Sequence, residues 1–138
     1  MLFRSIGKRL NADLAIIDKR RSGPGKSEVM NVIGQVKGKS CVIIDDLVDS
    51  GGTICNAADA LVKKGAKDVY AYVVHGVFSG NAVERIQKSK IKQFVVTNSI
   101  DNSEKTKRSK IKTISVAPLL GEAMNRISES KSVSKLFK

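Results

Sequence analysis

One stretch constrains this chain more than any other. A continuous apolar run, Cys41-Val42-Ile43-Ile44, leads into Asp45-Asp46-Leu47-Val48-Asp49-Ser50-Gly51-Gly52-Thr53, and an amphipathic helix pattern follows. Consecutive apolar residues suit a strand buried on both faces, the habit of parallel sheets covered by helices. Beyond the loop, Ile54, Ala57, Ala58, Leu61 and Val62 recur at helical spacing and form one inward stripe. Gly65 stands where a left-handed C′ residue ends such a helix. Strand, loop and helix in this order predict the α/β class. They place the loop at the carboxyl edge of a sheet, where ligands of these folds gather.

Each part of the loop has a physical use. Asp45 and Asp46 put carboxylates at the sheet edge, where they can accept hydrogen bonds from vicinal sugar hydroxyls. Gly51 and Gly52 carry no side chains, so backbone N–H groups can approach a phosphate closely. Ser50 and Thr53 add hydroxyl donors, and the helix N-terminus behind them contributes roughly half a positive charge. The combination suits a sugar phosphate. A turn that merely needed glycines would not need three aspartates. Neither G-x-x-x-x-G-K-[ST] nor G-x-G-x-x-G occurs.

The rest of the chain alternates strands and helices. Residues 3–10 read as a helix with Phe3, Ile6 and Leu10 on one face, and residues 13–17 as a short apolar strand. Residues 18–26 read as a basic, mobile loop containing Gly23, Pro24 and Gly25. Residues 28–36 read as a strand, 36–39 as a turn, and the central strand covers 41–44, with the loop running from 45 to 53. Further strands are predicted over 69–74, 93–97 and 112–116, and a short helix over 81–89 with Ala82, Val83 and Ile86 inward. Residues 98–110 read as a loop or a weak helical turn. Pro118 suits the first turn of a final helix whose inner face is Leu119, Leu120, Ala123, Met124 and Ile127. In the polar tail, Val133, Leu136 and Phe137 are placed to dock.

Composition sharpens this reading. A length of 138 residues suits one domain, spanning 1–138, and 41% apolar residues suffice for a core. Aromatic residues are only 4%, so that core is built from Val, Ile, Leu and Ala. Lys and Arg number 25 against 13 acids, a net charge of +12 that favours anionic partners. Basic clusters stand at Lys19-Arg20-Arg21 and Lys105-Thr106-Lys107-Arg108, and a solvated surface accounts for them equally well from charge alone. No aromatic residues interleave with them, which argues against single-strand nucleic-acid binding. Cys41 and Cys55 lack CxxC spacing and read as buried, reduced thiols. No apolar run approaches about 18 residues and no signal-peptide pattern opens the chain, so no membrane contact and a cytoplasmic location are expected.

Beyond these local readings, residues 42–53 resemble the phosphoribosyl-pyrophosphate loop of the type I phosphoribosyltransferase fold. Three further segments narrow the resemblance to ribose-phosphate pyrophosphokinases. Asp13-Leu14-Ala15-Ile16-Ile17-Asp18-Lys19-Arg20-Arg21, with Ser27-Glu28-Val29-Met30-Asn31, resembles that family's flexible catalytic loop. His75-Gly76-Val77-Phe78-Ser79-Gly80 resembles its His-x-x-Phe-Ser-Gly. Ser115-Val116-Ala117-Pro118-Leu119-Leu120 and Arg126-Ile127-Ser128 resemble its C-terminus.

The resemblance implies a three-layer, phosphoribosyltransferase-like, mostly parallel sheet. It also implies a reaction: transfer of the β,γ-pyrophosphate of ATP to the C1 hydroxyl of ribose 5-phosphate, with Mg²⁺. Carried over, Lys19 and Arg21 are the catalytic pair of the mobile loop. Arg21, Asp45, Asp46, Asp49, Ser50, Gly51, Gly52 and Thr53 bind ribose 5-phosphate. His75 takes a structural hydrogen-bonding role before that of a general base. The chain matches only the family's C-terminal half. The resemblance implies that the other half supplies much of the ATP site, a catalytic histidine and the metal ligands, and that a first central strand, between residues 13–17 and 41–44, is also missing here. The flanking strands must therefore close up, find another partner or leave backbone groups unpaired. The expectation is a truncated product that is a poor synthetase alone, or one piece of a split enzyme completed by a separate chain, homo-oligomeric if the family assembly is kept. Alternatives are a non-catalytic ribose-5-phosphate-binding module, a phosphoribosyltransferase (which would need a base-recognition hood that no segment supplies) and, from charge, a nucleic-acid binder.

Overall fold

The computed structural model describes the backbone of residues 2–21 and 28–137 and the side chains of residues 6–18 and 30–137. Helix α1 (Leu2–Arg9) precedes β1 (Ile16–Arg21) and β2 (Glu28–Ile33). Then follow β3 (Ser40–Val48), α2 (Gly52–Lys63), β4 (Asp68–Gly76), α3 (Ala82–Lys88), β5 (Gln93–Thr97), α4 (Ser103–Thr106), β6 (Ile111–Ile114) and α5 (Ala117–Ser128). A short 3₁₀ turn, Val133–Phe137, closes the described chain.

The α/β class and the parallel sheet are as expected. Strands β3, β4, β5 and β6 lie side by side in that order, all parallel. Ile43, Ala71, Phe94 and Ile111 form one cross-strand row. Their face packs beneath α2 and α3, where Ala58, Leu61, Ala82 and Ile86 join Val69, Ala71, Phe94 and Val96 in one core. Helix α2 buries Ile54, Cys55, Ala57, Ala58 and Leu61, much as its spacing predicts, although Val62 is exposed. Its end is closed by two backbone bonds, Gly65 N–H to Val62 O (2.9 Å) and Ala66 N–H to Leu61 O (3.0 Å). This arrangement requires the positive φ of Gly65, 93°.

Several element boundaries differ from the sequence reading. The strand read over 13–17 lies at Ile16–Arg21, so Asp18 to Arg21 belong to a strand and not to a loop. It pairs antiparallel with β2, Ile16 opposite Ile33 and Arg21 opposite Glu28. Cross-strand pairing outweighs the local turn signals there, while Gly23, Pro24 and Gly25 lie outside the described residues. Strand β2 stops at Ile33, and Val36 is buried in the connection that follows. Strand β3 runs on to Val48, so Asp45 and Asp46 are strand residues and the loop proper is short. The register with β4, Asp45 opposite Val73 and Leu47 opposite His75, holds them in the ladder. The strand read over 112–116 lies at Ile111–Ile114.

The larger correction concerns α5. Its apolar stripe was expected to face inward, yet it has no buried residue, and Met124 and Ile127 are 70% and 67% exposed. Leu119 and Leu120 are exposed as well, while Ala123 is half-buried. The helix packs against the Val133–Phe137 turn instead. Helical spacing reveals an apolar stripe and does not reveal what covers it. The sheet face opposite α2 and α3 behaves similarly, with Val42, Tyr72, Val74 and Ile114 exposed. Strand β3 is an edge of the parallel sheet, since β1 pairs with β2 in a separate two-stranded ladder.

Near their carboxyl ends β3 and β4 slip in step. Asp46 and Leu47 are both exposed before buried Val48, and Val74 and His75 are both exposed before buried Gly76. Val48 and Gly76 are register partners, so the two strands turn inward together. Gly76 is required there by close approach: a Cβ would lie 2.6 Å from Phe78 Cε2 and 3.0 Å from Val96 Cγ2. Phe78, itself at a positive φ of 49°, meets Phe94 edge-to-face at 6.1 Å.

Two stability outcomes follow from this packing. Phe94→Ala removes a fully buried ring from the centre of the sheet, and urea unfolding should register a loss of about 3–5 kcal/mol. Gly76→Ala drives a methyl group into the Phe78 ring and should cost about 1–3 kcal/mol by the same measurement.

Candidate functional site

The β3–α2 connection is built from behind. Val77 N–H donates to Val48 O (2.9 Å) and Ser79 N–H to Asp49 O (3.2 Å). The segment 75–80, which the sequence singled out as a motif, therefore buttresses the loop, and the buried Phe78 ring anchors it. Asn102, also buried, donates its Nδ2 proton to Gly76 O (2.6 Å) and ties down the same strand end. Nothing in the sequence marks Asn102 for this role, since an isolated Asn in a polar stretch carries no local signal of such a bond.

Gly51 is the N-cap of α2, with φ 73° and ψ −1°. A Cβ there would meet Ile86 Cγ1 at 3.4 Å as well as the strain of a left-handed backbone. No side chain caps the helix. The N–H groups of Gly51, Gly52 and Thr53 have no acceptor among the described residues. They form an uncapped helix start that keeps its donors and its partial positive charge for an outside anion. Ser50 and Thr53 are exposed beside it.

The carboxylates stand one stride earlier. Asp46 N–H donates to Asp45 Oδ1 (2.9 Å), which folds the Asp45 carboxylate back along the strand. Burial pushes the Asp45 carboxyl up from its ordinary value; the Asp46 N–H opposes this and the neighbouring Asp46 carboxyl adds to it. Asp46 and Asp49 are exposed. Among the described residues no three of His, Cys, Asp or Glu gather into a metal-binding group.

His75 lies at the end of β4, its Nδ1 2.8 Å from Ser99 Oγ. Ser99 Oγ also lies 3.2 Å from Val74 O, so it links the His75 ring to the end of β4. Lys19 and Arg21 fall in β1 by backbone, in the hairpin half remote from Ile16 and Ile33; their side chains lie outside the described residues. The structure thus brings Asp45, Asp46, Asp49, Ser50, Gly51, Gly52 and Thr53 together at one sheet edge. Cys55 is buried and Cys41 half-buried, both free, and burial pushes both thiols up. An open cleft of about 610 Å³ between α3 and the α4 region is lined in part by Lys88, Lys105, Lys107 and Arg108 and shares none of the loop residues.

The chain is similar to known proteins over almost its whole length. It is 56% identical over 135 residues to ribose-phosphate pyrophosphokinase of Agrobacterium fabrum, a match covering 97% of this chain and 44% of that protein. It is 57% identical over 136 residues to the Caulobacter vibrioides protein of the same name, again covering 97% of this chain and 44% of the relative. Among solved structures, phosphoribosylpyrophosphate synthetase from Mycobacterium smegmatis superposes with a TM-score of 0.80 at 34% identity, over 92% of this chain and 42% of that one. The chain therefore spans less than half the length of the relatives it matches. No helix among the described residues is long and apolar enough to cross a membrane. The family model for the phosphoribosyl synthetase-associated domain matches residues 10–138, and the chain belongs to that family.

Proposed function

We propose that this chain holds ribose 5-phosphate on the β3–α2 connection and supplies that half of a ribose-phosphate pyrophosphokinase site. The reaction transfers the β,γ-pyrophosphoryl group of ATP to the C1 hydroxyl of ribose 5-phosphate and releases AMP. The observation that carries this reading is the uncapped start of α2, whose Gly51, Gly52 and Thr53 N–H groups have no acceptor among the described residues, one stride from the Asp45–Asp46 pair. In this reading Asp45 and Asp46 accept the ribose hydroxyls, and Asp49, Ser50, Gly51, Gly52 and Thr53 surround the phosphate. Lys19 and Arg21, on the β1–β2 hairpin, neutralise charge building on the transferring group, and Arg21 also meets the sugar phosphate.

The chain acts as one phosphoribosyltransferase-like domain spanning 1–138, and further polypeptide completes the ATP site. That polypeptide is a separate or covalently continuous half, in a cytoplasmic homo-oligomer. The exposed stripe of α5 and the exposed face of the sheet support a larger assembly. Mg²⁺ would enter with ATP, held by substrate phosphates and one or two carboxylates, with the family's metal ligands in that completing half.

Calorimetry of the isolated chain should show saturable ribose 5-phosphate binding. With ATP, ribose 5-phosphate and Mg²⁺, AMP should form at least about 10²-fold more slowly than when a relative's N-terminal half is added. Robust AMP formation by this chain alone would overturn the split-site reading. Binding with no turnover even after complementation would mark a non-catalytic module instead.

Asp45 offers a second test. Its carboxyl is raised in the folded chain, chiefly by burial, so ionised Asp45 costs stability above that raised value. Below the ordinary carboxylate range the group is protonated both folded and unfolded, and the cost vanishes. Asp45→Asn should therefore leave Tm at pH 7 equal or higher, with the gap to the wild type narrowing as pH falls through the raised value into the ordinary carboxylate range. The same variant should bind ribose 5-phosphate about tenfold more weakly, because a charged acceptor is lost.

A further inference from the structure

Arg85 stands 35 residues from the loop in sequence, in the middle of α3, and none of the assignments above includes it. Its Nη1–H donates to the Ser50 carbonyl at 2.8 Å. The same nitrogen lies 3.3 Å from where a Cβ on Gly52 would sit, so the guanidinium lies directly against the loop backbone. Helix α3 also supplies the loop's rear wall, with Ile86 and the Ala82 carbonyl behind Gly51.

The direction of this bond matters more than its strength. In a planar trans peptide the carbonyl and the following N–H point in opposite directions. Holding the Ser50 carbonyl on Arg85 therefore aims the Gly51 N–H away from Arg85, where it has no acceptor among the described residues. The peptide between residues 50 and 51 is able to turn over, because glycine accepts either sign of φ at little cost. Turned over, it would present a carbonyl oxygen where an anion has to sit. Helix propensity cannot prevent this, since Gly51 lies outside the first helical residue, and no side chain caps α2.

We propose that Arg85 is a positioning residue of the sugar-phosphate site: by holding the Ser50 carbonyl it fixes the Gly51 N–H as an anion donor. This rests on the reading of the loop given above, and it adds a requirement for a residue on a different helix. A side chain on Gly52 would crowd the same guanidinium, 3.3 Å from its Cβ.

The test separates the two claims. Isotope-labelled wild type, Arg85→Gln and Arg85→Lys are compared without ligand by the Ser50 carbonyl-carbon and Gly51 amide NMR shifts, with Tm as a control on folding. Each is then titrated with ribose 5-phosphate. Arg85→Gln should move both shifts in the ligand-free protein and weaken binding about 10–100-fold. Arg85→Lys, which keeps a charged donor, should restore part of each. Unmoved ligand-free shifts in Arg85→Gln would overturn the proposal. So would moved shifts with unchanged affinity, and so would full rescue of binding by Lys without recovery of the Ser50 shift, because the charge alone would then suffice. If the wild type itself fails to bind ribose 5-phosphate, the loop reading fails, and the ligand-free shifts still decide whether Arg85 sets the Gly51 N–H.

Discussion

The parallel ladder between β3 and β4 is the interaction on which the rest depends. Ser40 pairs with Asp68 at one end and Val48 with Gly76 at the other, and the offset never changes. Because both strands end at one level, the two connections that leave them emerge side by side. Val77 and Ser79 can therefore hydrogen-bond the backbone of Val48 and Asp49. A slip of one residue would exchange every side chain between the faces and part these two segments. The loop has its shape because the ladder delivers its start, α3 supports its middle and α2 fixes its end.

The sequence made the loop legible and left its surroundings obscure, for physical reasons that differ from place to place. The apolar run at 41–44 and the stripe from Ile54 to Leu61 are strong local patterns, and both elements form where they stand. The acids at 45 and 46 resemble loop residues by composition. Pairing with β4 keeps them in the strand, and no local signal reports a partner strand. The same holds for Asp18 to Arg21, which β2 captures. Arg85 was invisible as a site residue because its bond spans 35 residues, and an exposed Arg on a short helix reads first as a solvated face. Phe78 was legible only as part of a motif. Its reason, the packing on Phe94 beside a bare Gly76, belongs to three dimensions.

Among the described residues β1 pairs with β2 alone, through six residue pairs, and β3 is left as an open edge of the parallel sheet. The backbone groups on that side of β3 have no strand partner among the described residues, and open edges of this kind favour pairing with another chain. Lys39, paired with Asp13, places charge near the beginning of that edge, and Asp45 and Asp46 place it further along. Charges on an edge strand discourage indiscriminate pairing without forbidding a fitted partner. The exposed Val42, Tyr72 and Val74 add apolar area on the adjoining face.

Within the loop, the Asp45–Asp46 pair and an anion cradle lie only a few residues apart, and for that pair distance resolves the conflict, whereas Asp49 stands beside the cradle itself. From Asp45 to Val48 the chain is extended and rises roughly 10 Å. Two unit charges that far apart repel by well under 1 kcal/mol in water and by about 1.7 kcal/mol at an effective dielectric constant of 20. The helix start offsets part of this, because its N–H groups meet the phosphate directly. The intervening Leu47 and Val48 thus act as a spacer, and β3 has to stay a strand for the spacer to keep its length. A loop flexible enough to let Asp45 swing towards Gly51 would set carboxylate against phosphate. The ladder to β4 prevents that at the strand end, and the Ser50 carbonyl held by Arg85 prevents it at the helix end. A ligand bearing hydroxyls at one end and a phosphate at the other matches this separation of acceptors from donors. A bare phosphate uses only half of it.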